Sequence, residues 1–440
     1  MRKRSNTSDC VKESIVRIID RYFLQETQLA SSLRNAGWMV FDRVLRGALT
    51  VFVGSWVARY LEPGLYGTLA FVIALTTFFQ AVCNLGLDNL VVRAVIAREA
   101  PDGQILGTTL VMRLAIGLIC WGALTTYFWA TPGPNKNSLI VGVIVSASLI
   151  FQAGNTIDLW FISQMQSRRT AIAKILAYGV SYGLRIVFIV THRNITWFAA
   201  AILCDYVVSA VLMMILYQGY TSTSKWSVSW ALMKEMVRES WYYMVSSVAV
   251  ITYMQIDQIY LGILRGKFEL GVYSAVIRFA SVWYFLPATL CASFMPVVVR
   301  KKAEGSGAYL GALRKLYVGF LALSTFITAG LMGFAGPIIR FLLGPAYAHS
   351  ESTLAIYALS IIPVFLGNAH NLWMINDRLP KVMLGRTVIG GVVALVAGYV
   401  LIVKLGLIGA AIGAVLGYAA SDIIAPLILC PRFVVSLLRG

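Results

Sequence analysis

The chain is short of charge, and shortest of acid. Asp and Glu together number 19 in 440 residues, Lys and Arg 37, and charged residues make up only 13%. That is about half the share found in a soluble domain. Hydrophobic residues fill 59% of the chain, more than the polar exterior of a soluble protein could cover. A soluble enzyme, a disordered chain and a single-anchor protein are all excluded. Histidine is scarcer still. His192, His349 and His370 stand far apart, so no metal-ligand spacing exists. The six cysteines (Cys10, Cys83, Cys120, Cys204, Cys291 and Cys430) form no CxxC pair and read as small buried hydrophobes. A resident metal or cofactor is therefore not expected. Long polar stretches are missing too, which leaves no room for a soluble catalytic domain. The polar, basic first residues argue against a cleaved signal peptide.

The chain instead holds long apolar runs. A membrane-spanning helix needs about 20 apolar residues, and twelve runs meet that length. They lie near residues 37–61, 68–92, 105–130, 138–162, 170–191, 196–218, 240–263, 271–297, 316–339, 352–375, 381–403 and 406–429. The runs are continuous rather than alternating, which excludes a β-barrel. The expected fold is an all-α polytopic membrane protein. Basic residues then set its orientation. With the N-terminus inside, the inner segments carry 25 Lys and Arg. The outer ones carry seven: Arg59, Lys136, Arg193, Arg265, Lys267, Arg340 and Lys404. This excess predicts both termini in the cytoplasm. The formal +18 is thus a topology signal, with no nucleic-acid partner implied.

The domain reading follows. Residues 1–35 form a cytoplasmic basic tail. Within it Ile15, Ile18, Ile19 and Tyr22 recur at helical spacing among Lys12, Arg17 and Arg21, as in an amphipathic interfacial helix. Residues 36–218 form an N-lobe with spans one to six. Residues 219–239 are a Ser/Thr-rich cytoplasmic linker. Residues 240–430 form a C-lobe with spans seven to twelve, and 431–440 a C-terminal cytoplasmic tail. The lobes look related. Pro63-Gly64-Leu65-Tyr66-Gly67 opens span two, and Leu270-Gly271-Val272-Tyr273-Ser274 opens span eight. Each tyrosine is expected at interface level. Duplicated bundles of this kind place a transport site between their halves, near the membrane midplane.

Several segments, in order, resemble one family. Tyr60 to Gly67 is similar to the turn after the first span of polysaccharide flippases. Asn84-Leu85-Gly86-Leu87-Asp88 through Arg93 resembles their close of span two, and Trp160-Phe161-Ile162-Ser163-Gln164 with Arg168-Arg169 their segment after span four. Gln255 to Gly262 followed by Gly271 to Ala275 resembles the seventh-to-eighth span turn, and Leu343-Gly344-Pro345-Ala346-Tyr347 the turn after span nine. The set resembles Wzx-like lipid-linked oligosaccharide flippases of the multidrug/oligosaccharidyl-lipid/polysaccharide exporter superfamily. That resemblance implies two pseudo-symmetric six-helix lobes around a central cavity. It implies alternating access, a location in the bacterial inner membrane, and a polyprenyl-diphosphate-linked oligosaccharide as cargo for O-antigen, capsule or exopolysaccharide assembly. Membrane lipids and the polymerase and export machinery of the same pathway are the implied partners. A multidrug extruder and a peptidoglycan-precursor flippase of the same superfamily are the alternatives. Glu62 before Pro63 departs from the family's usual Gly-Pro order, and Ser163 stands where a further aromatic is common.

Charges inside the bilayer are costly and mark cavities or ion paths. Arg113, Arg185 and Arg278 are expected to line the cavity, since a guanidinium fork matches phosphate oxygens at two points. Asp42 and Arg46, four residues apart, form a favourable local pair or join the cavity. Gln255 and Asn371 are candidate sugar contacts, together with Gln152, Asn155, Gln258, Asn368 and His370. Asp257, Asp205 and Asp422 are the candidates for gating or for a coupling proton or cation, with Asp257 placed to pair with Arg278. Asp88 and Asp158 read as residues reaching a span end. Pro287, Pro363 and Pro426 are expected to kink their helices.

Overall fold

The computed structural model describes residues 7–131, 137–218 and 225–431, with side chains from residue 37 onward except residue 39. The side chains of the basic N-terminal segment and most of the C-terminal tail lie outside the described residues. Ten helices among the described residues are long and apolar enough to cross a membrane. They are α1 (Val40–Ala97), α2 (Asp102–Ala130), α3 (Asn137–Ser163), α4 (Ser167–Val190), α5 (Ile195–Gln218), α6 (Trp230–Leu264), α7 (Lys267–Glu304), α8 (Ser306–Gly333), α9 (Pro345–Asn376) and α10 (Pro380–Leu429).

Two of the ten cross twice. α1 has 58 residues and α10 has 50, about 87 and 75 Å if straight at 1.5 Å per residue, against a hydrocarbon core of about 30 Å. Each is broken between its two crossings by one non-helical residue, and α1 is interrupted again at Leu85 and Gly86 near its far end. Glu62 (φ 57°, ψ 164°) breaks α1 and Gly406 (φ 59°, ψ −127°) breaks α10. In α10 the arms fold back as a hairpin. A Cβ on Gly413 would stand 2.9 Å from Gly398, one on Gly417 would stand 2.8 Å from Ala394, and one on Gly390 would stand 2.5 Å from Ser421. Small residues at these crossings let the two backbones approach, which is how helices associate where lipid removes the hydrophobic drive. Twelve crossings result, at the places the apolar runs predict.

Proline accounts for three irregularities within the crossings, while the 3₁₀ turn Gln152–Gly154 in α3 forms without one. Proline lacks an N–H, and its ring clashes with the carbonyl four residues back. A 3₁₀ turn, Val282–Tyr284, precedes Pro287. The helix breaks at Leu359 and Ser360 before Pro363. A π turn, Ala420–Ile424, precedes Pro426. In all three cases the residue at i−4 falls inside the irregular segment.

The lobes meet along α1 on one side and α6–α7 on the other. A Cβ on Gly47 would stand 2.9 Å from Val282, one on Gly262 would stand 2.5 Å from Phe71, and one on Gly86 would stand 2.6 Å from Tyr243. At the turns the approach is closer still. A Cβ on Gly67 would overlap the Lys267 carbonyl, and one on Gly271 the Pro63 carbonyl. The two duplicated turns therefore touch each other, backbone to backbone, about a pseudo-two-fold axis. We call this the turn end. Arg59, Arg193, Arg265 and Lys267 all belong to it: Tyr60 donates to the Arg193 carbonyl, and Gly406 lies beside Arg265. At the opposite end Arg93 pairs with Glu239 at 2.7 Å, and Lys302 with Asp377 at 2.5 Å. Of the sequence-assigned basic residues, outer Arg59, Arg193, Arg265 and Lys267 thus lie at one end and inner Arg93 and Lys302 at the other. The helix of α6 begins at Trp230, inside the segment read as linker.

Candidate functional site

A cavity of about 400 Å³ opens between the lobes, within the range of about 300–1,000 Å³ usual for ligand sites. The first arm of α1 presents Arg46, Thr50 and Gly54 to it, at i, i+4 and i+8 on one helix face. Alongside, α4 presents Tyr182 and Arg185. The two helices run in the same direction and are pinned twice. Arg46 donates to the Tyr178 hydroxyl at 3.0 Å, and Thr50 and Tyr182 share a hydrogen bond of 2.9 Å. The C-lobe supplies Gln255, Gln258, Ser274 and Arg278. A second cavity, about 410 Å³, lies toward the end opposite the turns and shares Arg46, Asp205 and Tyr206 with the first. Asp42, Gln80, Asn84, Asp88, Gln152, Asn155, Asp158 and Lys174 line it. Together the two form a polar path from that end to the lobe interface.

Three guanidiniums converge on the central cavity, two from the N-lobe and one from the C-lobe. Each lies over a tyrosine: Arg46 is 4.6 Å from the Tyr178 ring centroid, Arg185 is 4.3 Å from Tyr182, and Arg278 is 5.1 Å from Tyr66. The ring quadrupole attracts a cation without neutralising it. None of the three has a carboxylate within 4.0 Å among the described residues, and the Nε atoms of Arg185 and Arg278 have no hydrogen-bond partner. The Arg278 guanidinium occupies the space that a Cβ at residue 54 would take, so Gly54 leaves it room in this position. Among the described residues Asp205 is the one acid that lines the central cavity.

The structure redistributes the sequence candidates. Arg46, Arg185, Arg278, Gln255 and Asp205 line the central cavity, and Asp42 lines the second one. Asp42 and Arg46 are not an ion pair, because Arg46 turns to Tyr178. Arg113 is no cavity residue. It is buried in the N-lobe, paired with Asp88 and 3.5 Å from the Thr156 hydroxyl. Asp88 does reach a span end, its side chain 55% exposed beside Arg113, whereas Asp158 is largely buried and bonds Lys174 at 2.6 Å. Asp257 does not meet Arg278. Its carboxylate accepts from the Tyr273 hydroxyl at 2.5 Å and from the Gln258 N–H at 2.8 Å, deep in the C-lobe. Asp422 and Asn371 both bind Arg386, at 2.9 and 2.6 Å. They form a lobe-internal network rather than a cavity wall. Tyr66 and Tyr273 are likewise not interface anchors, since both are buried in protein.

Sequence reasoning passed over Arg386, whose place six residues into an apolar run was its signal. It also passed over Tyr178 and Tyr182. Their spacing from Arg185, at i, i+4 and i+7, puts all three on one helix face.

Two packed lobes of six crossings with a charged cavity between them define a polytopic helical membrane protein with a binding site at its lobe interface. The family model described as "Polysaccharide biosynthesis protein" matches residues 32–300, more than half of the chain, and the chain belongs to that family. A stretch of 148 residues is 26% identical to the uncharacterized membrane protein EpsK of Bacillus subtilis (strain 168), covering 31% of this chain and 29% of that relative. The chain thus spans under a third of that relative's length in the match. The fold is similar to the lipid II flippase MurJ in an inward closed conformation, with a TM-score of 0.68, 14% identity, and 92% and 90% of the two chains covered. It is also similar to an inward-facing MATE family multidrug resistance transporter of the MOP superfamily (TM-score 0.64, 16% identity, 92% and 96% covered). A MOP superfamily transporter from Pyrococcus furiosus, described as having a binding pocket of reverse polarity, gives a TM-score of 0.65 at 16% identity, with 93% and 96% covered.

Proposed function

We propose that the protein flips a polyprenyl-diphosphate-linked oligosaccharide across the bacterial inner membrane by alternating access. The observation that carries this reading is the set Arg46, Arg185 and Arg278, three guanidiniums from both lobes with no carboxylate partner. An uncompensated charge at the lobe interface is expensive. A diphosphate removes that expense by accepting paired N–H donors. Gln255, Gln258, Ser274 and Thr50 beside them suit sugar hydroxyls. A net positive cavity also disfavours the cationic cargo of a multidrug extruder. By the positive-inside rule the turn end faces the periplasm, so the present state is closed on that side. Cargo then enters through the Asp42–Asp158 path, and a gradient acting on Asp205, beside the arginines, biases the lobe equilibrium.

The test is reconstitution in vesicles with a fluorescent polyprenyl-diphosphate oligosaccharide on one leaflet. Wild type should transfer it. Arg46→Ala, Arg185→Ala and Arg278→Ala should each slow transfer at least tenfold, with Arg185→Lys recovering part of the rate. Wild-type rates in all three variants, or export of cationic dyes without glycan transfer, would sink the proposal.

A further inference from the structure

α7 and α8 form a hairpin about Gly305. α7 turns Ile277, Arg278 and Ser281 to the central cavity, and Leu290, Phe294 and Val297 to the opposite side. There, between the two helices, runs an apolar groove of about 700 Å³ whose other wall includes Gly311, Gly319 and Leu323 of α8. One helical turn past Leu323 a second apolar groove of about 550 Å³ begins at Ile327 and passes Gly330 to Phe334 and Phe341. A Cβ at residue 311, 319 or 330 would meet nothing within 4 Å. The two grooves follow one face of α8 in register and are open at each of these glycines, so end to end they make one apolar track. Its mouth, at the end opposite the turns, holds Lys301 and Lys315. Lys301 lies 2.6 Å from Glu304, whereas Lys315 has no ion pair among the described residues.

The length of the track selects its occupant. From Lys315 to Phe334 it runs about 28 Å at 1.5 Å per residue, close to the full hydrocarbon thickness of about 30 Å. The acyl chain of a phospholipid ends near the midplane, at about half that depth. A lipid with a phosphate at the basic mouth and a tail filling the track must be longer than one leaflet. We propose that the α7–α8 groove is a docking site for a long-chain polyprenyl phosphate lipid, its phosphate at Lys301 and Lys315 and its isoprenoid chain along Gly311, Gly319 and Gly330. The site is separate from the central cavity and receives the cargo lipid before its glycan moves. This rests on the lipid-linked reading of the cargo.

Binding to the full chain in detergent tests it, with a C55 polyprenyl phosphate, a C15 farnesyl phosphate and dioleoyl phosphatidylglycerol as probes. Wild type should bind the C55 lipid at least tenfold more tightly than either other probe. The pair Gly319→Leu and Gly330→Leu should erase that preference, because the new side chains occupy the track. The pair Gly319→Ala and Gly330→Ala, with the same unfolding midpoint as wild type, should keep most of it. Lys315→Gln should weaken C55 binding severalfold. Equal binding of phosphatidylglycerol, or unchanged C55 affinity in the Leu pair, overturns the proposal. The two readings fail separately. Cavity variants that stop glycan transfer beside groove variants with wild-type C55 affinity would refute the groove alone. Groove variants that behave as expected beside cavity variants with wild-type transfer would refute the cargo reading alone.

Discussion

Closure at the turn end depends on two glycines, and Gly67→Ala and Gly271→Ala should weaken it. A Cβ on Gly67 would overlap the Lys267 carbonyl and stand 2.7 Å from the Gly271 nitrogen. One on Gly271 would overlap the Pro63 carbonyl and stand 2.9 Å from the Gly67 nitrogen. Ordinary contact begins at 3.4 Å, so the lobes must part by at least about 0.7 Å for Gly67→Ala and about 0.5 Å for Gly271→Ala even before the carbonyl overlap is relieved. The obstructing atoms are backbone, so no rotamer change avoids the clash. Overpacking of this kind costs about 1–3 kcal/mol, and only the closed state bears it. The closed-to-open ratio should therefore fall about 5- to 150-fold. Gly64→Ala is the control, since its Cβ would meet nothing within 4 Å. Spin labels at Thr191 and Lys404, exposed at the turn end of the N- and C-lobes, report the separation by electron–electron double resonance. Both alanine variants should shift the distances longer, while Gly64→Ala matches wild type. Unchanged distances in both variants would show that the turns do not set the closed state.

Glu62 holds φ 57° and ψ 164°, a region costing a non-Gly residue about 1–3 kcal/mol, so Glu62→Gly should raise the denaturant midpoint by a matching amount. Arg386→Ala should destabilise by about 3–5 kcal/mol, because Asp422 is left buried without its partner; Arg386→Met combined with Asp422→Leu should recover most of that loss in the same unfolding assay. Gly54→Ala would put a Cβ where the Arg278 guanidinium lies, so it should weaken diphosphate binding severalfold in a titration while leaving the unfolding midpoint unchanged.

The apolar runs alone settled the number and order of the crossings, because lipid forces every backbone polar group into a helix of fixed length. The proline irregularities were legible for the same local reason, since a missing N–H acts on its own turn. Membership of the polysaccharide biosynthesis family was legible in the turn residues. The site was legible only in part. A charged residue in an apolar run announces that it needs a partner, but the run does not say which one. Arg113 and Arg278 look alike in sequence. Folding gave the first Asp88 and left the second facing a cavity, because one helix face meets its own lobe and the other meets the opposite lobe. Asp257 and Asp422 likewise turned inward, to Tyr273 and Arg386. Period and composition fix what a helix must bury. Which neighbour arrives there depends on contacts between residues as distant as Gly54 and Arg278, and only the packed lobes decide it.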